Sequence, residues 1–97
     1  MRIPPGACDC HMHVYDARFP AAAGARLLPP DASVQDYQAL QTRLGLQRVV
    51  VVTPSTYGTD NACTVDAIGK LGAGARGIAV VAPTIDDAGL ADLHARG

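Results

Sequence analysis

Val49-Val50-Val51-Val52-Thr53 is an unbroken run of β-branched residues, and it restricts the fold of this chain more than any other segment. Branching at Cβ favours the pleated backbone. Successive strand side chains point to opposite faces, so a strand that is apolar at every position is covered on both. Strands of that kind belong to parallel sheets flanked by helices, whereas a one-sided antiparallel strand would alternate apolar and polar residues. Arg48 opens the run and Pro54, which has no N–H to donate, stops it.

The flanking sequence supplies what such a strand requires. A first strand is expected over about Ala7 to Val14, followed by a loop rich in Pro, Ala and Gly from Tyr15 to Ala32. Ser33 is placed to cap a helix, with Asp36 three residues on to complete a capping box. Val34, Tyr37, Leu40 and Leu44 then recur at helical spacing, and Gly45 fits the left-handed residue that ends a helix. After the valine strand, the loop Ser55–Asn61 leads to a second helix with Val65, Ile68 and Leu71 on one face, closed by Gly72 and Gly74. Gly77–Val81 reads as a third buried strand halted by Pro83, and Asp86 or Asp87 caps a last helix carrying Leu90 and Leu93. The order β-α-β-α-β-α implies an α/β fold with parallel strands and right-handed crossovers.

A sheet of this size leaves two unpaired edges and one uncovered face. The 97 residues therefore read as the opening portion of a larger α/β domain, with open edges prone to self-association. Because aromatic residues make up only 4% of the chain, Val, Leu, Ile and Ala must supply the packing. A net charge of −1, with no basic run, gives no electrostatic basis for binding nucleic acid or an anionic membrane. Neither a signal-peptide core nor a bilayer-length apolar run is found, which makes a cytoplasmic setting the expectation. Cys8, Cys10 and Cys63 are odd in number and poorly spaced for disulfides, as suits a reducing compartment.

The chemistry concentrates in Cys8-Asp9-Cys10-His11-Met12-His13. Regular alternation would put Cys8, Cys10, Met12 and Val14 on a face under helices, and Asp9, His11 and His13 together on the other. A carboxylate and two imidazoles on one strand suit metal ligation or proton transfer. Against this stands the plain fact that H-x-H arises by chance in many chains. Its place inside an apolar stretch, just before Tyr15-Asp16 and Pro20 open a loop, favours the functional reading. Ser55 and Tyr57 follow the second strand, where a hydroxyl and a phenol suit a polar substrate, although such residues also build ordinary turns. Asp60 and Asn61 read as helix-cap residues, and Arg18 and Arg26 as solvated surface. A small metal module using Cys8, Cys10, His11 and His13 is a competing reading, opposed by the expected separation of thiols and imidazoles onto opposite faces.

Three segments give the chain a family resemblance: Cys8–Asp16 followed by Arg18-Phe19-Pro20, Leu44-Gly45 through Val49-Val50-Val51, and Pro54–Asn61. In that order they resemble the lactone-acting, TIM-barrel branch of the amidohydrolase superfamily, within the group of dicarboxylate lactonases and sugar-acid lactone isomerases. The resemblance implies a (β/α)8 barrel of roughly 250 residues, of which residues 1–97 would be the N-terminal part, its first three β/α units. It further implies a small-molecule lactone substrate, His11 and His13 as catalytic residues, and Ser55 and Tyr57 as substrate contacts. No cofactor is expected in the lactone branch. In metal-dependent relatives the same His11–His13 pair holds a divalent metal such as zinc or manganese, leaving a metal-dependent hydrolase or decarboxylase as the alternative. The family pattern also includes a central-strand histidine and a late aspartate acting as general base. Neither has a counterpart in these residues, so a fragment inactive on its own is expected.

Overall fold

The computed structural model describes residues 2–97. Its strands are β1 (Cys8–Met12), β2 (Arg48–Val52) and β3 (Ala75–Ile78), and its helices are α1 (Val34–Leu44), α2 (Ala62–Leu71) and α3 (Asp87–Ala95). The strands form one sheet in the order β1-β2-β3, and both pairings are parallel. This is the architecture expected from the sequence, an incomplete barrel of three β/α units. Among the described residues, no helix is long and apolar enough to cross a membrane.

The valine run works on both faces, as its composition requires, but the faces differ. Val49 and Val51 are buried against α2, where Cys63, Ala67 and Ile68 join them, and Val34 and Tyr37 of α1 extend the same core. Val50 and Val52 lie on the opposite side and are only half-buried. Ile78, the register partner of Val52, is 52% exposed there. One face of the sheet is thus under helices and the other is open.

Helix α1 begins and ends where the sequence signals place it. Ser33 Oγ accepts from the Asp36 N–H, the Asp36 carboxylate accepts from the Ser33 N–H, and Gly45 closes the helix at φ 75°. A residue with a side chain would be strained in that left-handed conformation. Helix α2 buries Cys63, Thr64, Ala67 and Ile68. The expected stripe is therefore rotated, because small residues rather than Val65 sit closest to the sheet. Helix α3 is capped by Asp86, whose carboxylate accepts from the Gly89 N–H at 2.8 Å.

The third strand departs from expectation. It covers Ala75–Ile78 rather than Gly77–Val81, and Val80 and Val81 are exposed instead of buried. The cause lies in β2. Thr53 still donates to the Ile78 carbonyl at 3.0 Å, but β2 ends at Val52 and the 3-10 turn Ser55–Tyr57 follows at once, which carries the next β3-facing N–H, that of Ser55, out of the ladder. The Asn61 amide takes over, with Nδ2 donating to the Val80 carbonyl and Oδ1 accepting from the Val80 N–H, each at 2.9 Å. Upstream, β3 starts early because Gly74 packs directly on the chain before β2. A Cβ there would lie 2.6 Å from the Gln47 carbonyl oxygen.

The capping box makes a definite prediction. Ser33→Ala should cost about 1 kcal/mol. In urea unfolding the midpoint should fall while the slope stays unchanged, because no buried surface is altered.

Candidate functional site

The first strand does not alternate regularly. Asp9 pairs with Val49 and Met12 with Val51, so three steps on β1 face two on β2 and the strand carries a bulge. Paired residues of parallel strands share a face, which puts Asp9 and Met12 on the helix side with Val49 and Val51. The bonds agree. Tyr37 of α1 donates its hydroxyl to Asp9 Oδ2 at 2.9 Å, and Met12 packs against the core. The expectation that Asp9 shares a face with His11 and His13 is thereby corrected.

His11 and His13 flank Met12 and occupy the open face. Their ring centroids are 5.0 Å apart at 84°, an edge-to-face arrangement, with His11 exposed and His13 half-buried. His13 Nδ1 lies 2.8 Å from the Val52 carbonyl oxygen. A carbonyl oxygen only accepts, so Nδ1 carries the proton, and the neutral ring presents a lone pair at Nε2. His13 can thus take a proton or bind a cation through Nε2, and it donates there only as imidazolium.

The expectation that Cys8 and Cys10 lie beneath the helices is also corrected. Cys8 pairs with Arg48 on the open face, Cys10 is exposed, and only Cys63 is buried. Burial first, and then the hydrogen bond to Cys10, push the Cys8 thiol above its usual range. The bulge therefore removes the geometric objection to thiols and imidazoles sharing a side. Even so, among the described residues no three His, Cys, Asp or Glu side chains gather where one ion could be held. A catalytic zinc keeps more protein ligands than the histidine pair supplies, so these residues alone do not fit one.

Ser55 and Tyr57, in a short 3-10 turn after β2, are not brought into one pocket. Ser55 is exposed and borders a shallow depression with residues 22–27 and Gly58, whereas Tyr57 is buried and lines another beneath Phe19 and Leu28. The Tyr57 hydroxyl is already occupied, since it accepts from the Asp16 N–H at 3.0 Å and donates to the Asp16 carbonyl at 3.1 Å. Burial raises its ionisation above the usual phenol range, which keeps the donor proton in place. Its evident task is to fasten the long loop. Two further ties help: a Tyr15–Ala32 bridge closes the loop at its base, and the Ala22 N–H donates to the Thr56 carbonyl at 2.8 Å.

Asn61 occupies the cap position of α2 without capping it, while Asp60 Oδ1 accepts from the Ala62 N–H at 3.0 Å. Asn61 Oδ1 also accepts from Thr53 Oγ1 at 2.8 Å, which knits the ends of β2 and β3 together where the buried Thr53 meets Thr64 of α2. Sequence reading missed that role because its partners, Thr53 and Val80, are 8 and 19 residues away along the chain. Arg18 remains exposed but is not free, since it forks onto Asp16 with Nη2 at 2.6 Å from Oδ2.

A family model described as amidohydrolase matches residues 8–97. The chain belongs to that family. It is 42% identical over 98 aligned residues to a 2-pyrone-4,6-dicarboxylate hydrolase of Comamonas testosteroni, an alignment covering 99% of this chain and 32% of the relative. It is 31% identical to a D-galactarolactone isomerase of Agrobacterium fabrum, across 98% of this chain and 33% of that protein. A crystal structure of an Agrobacterium tumefaciens protein superposes with a TM-score of 0.93 at 30% identity, covering 99% of this chain and 36% of the other. This amidohydrolase chain therefore spans about a third of the length of the curated relatives it matches.

The Asp16–Arg18 fork gives a pH prediction. The Arg18 guanidinium, then its backbone N–H, holds the Asp16 carboxyl down at about 2. Because the folded value is depressed, its stabilising contribution is complete above the ordinary value of 3.8 and is lost as pH falls toward 2. Carboxyl-carbon NMR should place the Asp16 midpoint near 2, and Arg18→Ala should move it back toward 3.8.

Proposed function

We propose that residues 1–97 are the N-terminal part of an amidohydrolase TIM barrel, and that they contribute its β1 histidine pair to a lactone hydrolase or isomerase site. The observation that carries this reading is the pairing of His11 and His13 on the open face, edge to face at 5.0 Å, where β1 ends. Active sites of such barrels form at the C-terminal ends of the strands. Relatives named for a pyrone dicarboxylate and for a sugar-acid lactone support an acidic lactone as substrate class.

In this reading the lactone carbonyl sits against the two imidazoles. Charge that develops on its oxygen as water, or a substrate hydroxyl, attacks is stabilised by N–H donors aimed at that position. His13 acts there as imidazolium, because its neutral form offers only a lone pair at Nε2. Ser55 at the end of β2 remains the candidate contact for a substrate hydroxyl. Tyr57, with its hydroxyl held by Asp16, would contribute by shaping the wall of the site. These residues offer no counterpart of the family's general-base aspartate, so turnover requires groups from outside them. The reaction proceeds without metal in the preferred reading. The lone pair at His13 Nε2 favours a second reading, in which it is a cation ligand oriented by the Val52 carbonyl. A cytoplasmic setting is supported by the free thiols of Cys8, Cys10 and Cys63. Self-association through the open edges is supported by the exposure of Ile78, Val80 and Val81.

The test is a graft in which this chain replaces the matching third of the Comamonas testosteroni relative. The 97-residue chain alone should show no lactone turnover, while the graft should hydrolyse 2-pyrone-4,6-dicarboxylate. His11→Ala and His13→Ala in the graft should each lower kcat/KM by about 100-fold or more. Full activity in both variants would refute the assignment. Loss of turnover under chelation, restored by zinc or manganese, would establish the metal-dependent alternative. Sedimentation of the chain alone should show a mass that rises with concentration.

A further inference from the structure

The bulge in β1 is held from outside the sheet. One carboxylate oxygen of Asp9 accepts from the His11 backbone N–H at 3.2 Å, a turn-like bond to the residue two positions on. The other accepts from the Tyr37 hydroxyl at 2.9 Å. Tyr37 is only 8% exposed and belongs to the core, so its hydroxyl is a fixed point on α1. Burial, and then the nearby Asp9 carboxylate, push its ionisation well above the usual phenol range, so it stays a donor.

The chain of contacts thus runs from the α1 core through Tyr37 and Asp9 to the backbone of His11. A one-residue change in strand register moves every side chain to the other face, so whatever fixes the bulge decides where the residues around it point. The His11 N–H is directed to a side chain rather than to β2, which leaves its orientation dependent on that carboxylate.

We propose that Asp9 and Tyr37 are positioning residues that fix the β1 bulge and hold the His11 ring against that of His13. The inference gives Asp9, a residue of the motif, a role on the opposite face from the two histidines. Its bearing on catalysis rests on the lactone reading above, but the contact it explains does not.

The experiment measures ring-to-ring cross-peaks between His11 and His13 by NMR in the full chain labelled at histidine and valine, without substrate. Amide signals of Val49 and Val51 report whether the sheet is intact. Tyr37→Phe removes only the hydroxyl and should lose most of the cross-peak intensity while those amides persist. Asp9→Ala should lose it as well, and Asp9→Asn, which keeps an acceptor for the His11 N–H, should restore it. Leu40→Ala, an exposed position on the same helix, should leave it unchanged. Wild-type cross-peaks in Tyr37→Phe would overturn the proposal, as would an equal loss in Leu40→Ala. An inactive graft with these cross-peaks intact would count against the lactone reading alone.

Discussion

Between Asp9 and Met12, β1 advances three residues while β2 advances two, and much of the local arrangement depends on that mismatch. It lets Asp9 face the helices and Met12 follow it onto the same side, while His11 and His13 remain on the open face. A regular strand could not do this. If Asp9 reached Tyr37 without a bulge, alternation would turn both imidazoles under the helices with it. If the imidazoles faced outward, the carboxylate would leave Tyr37 and expose a buried phenol hydroxyl without its acceptor, at a cost of about 1–3 kcal/mol. The bulge satisfies both demands.

What surrounds the histidines is built to be still. The loop after β1 would have many conformations if it were tethered only at its ends. Instead it is pinched by the Tyr15–Ala32 bridge, buttoned by the Tyr57 hydroxyl onto both backbone groups of Asp16, and pinned through Ala22 to Thr56. Asn61 does the same for the strand ends, holding both backbone groups of Val80 where the β2–β3 ladder has stopped. All of these ties collect at the ends of the strands, the side of the sheet from which a ligand would approach. Their common effect is to lower the conformational entropy of the rim before any ligand arrives.

The local features were legible in the sequence and the non-local ones were not. Ser33, Asp36 and Gly45 bounded α1 to the residue because a cap is decided by neighbours a turn away. The β-branched run identified β2 for a similar reason. Strand β3 was misplaced because Ala75 and Arg76 carry no strand signal, and their pairing is set by Val49 and Val50 across the sheet. The apolar residues at 78–81 drew the expectation downstream, although Val80 is held by a side chain rather than a strand. The facing of Asp9 depends on Tyr37, 28 residues away, and the Tyr57 hydroxyl binds Asp16, 41 residues away, contacts that spacing alone does not reveal. The two histidines could be paired from spacing alone, since residues two apart share a face wherever the strand is regular.

The open face brings fold and chemistry together. Val50, Val52 and Ile78 leave apolar surface on the side that carries His11 and His13. In water such a surface is unfavourable, and imidazoles on it are solvated, so the charge-stabilising power of their N–H groups is weak. Covering the face would bury the apolar side chains and lower the dielectric around the rings in one step. Solvation at this site is therefore controlled by the same surface that sheet packing leaves unfinished. The histidine pair is held in position on these three β/α units, and what covers the face sets how strongly its N–H groups act.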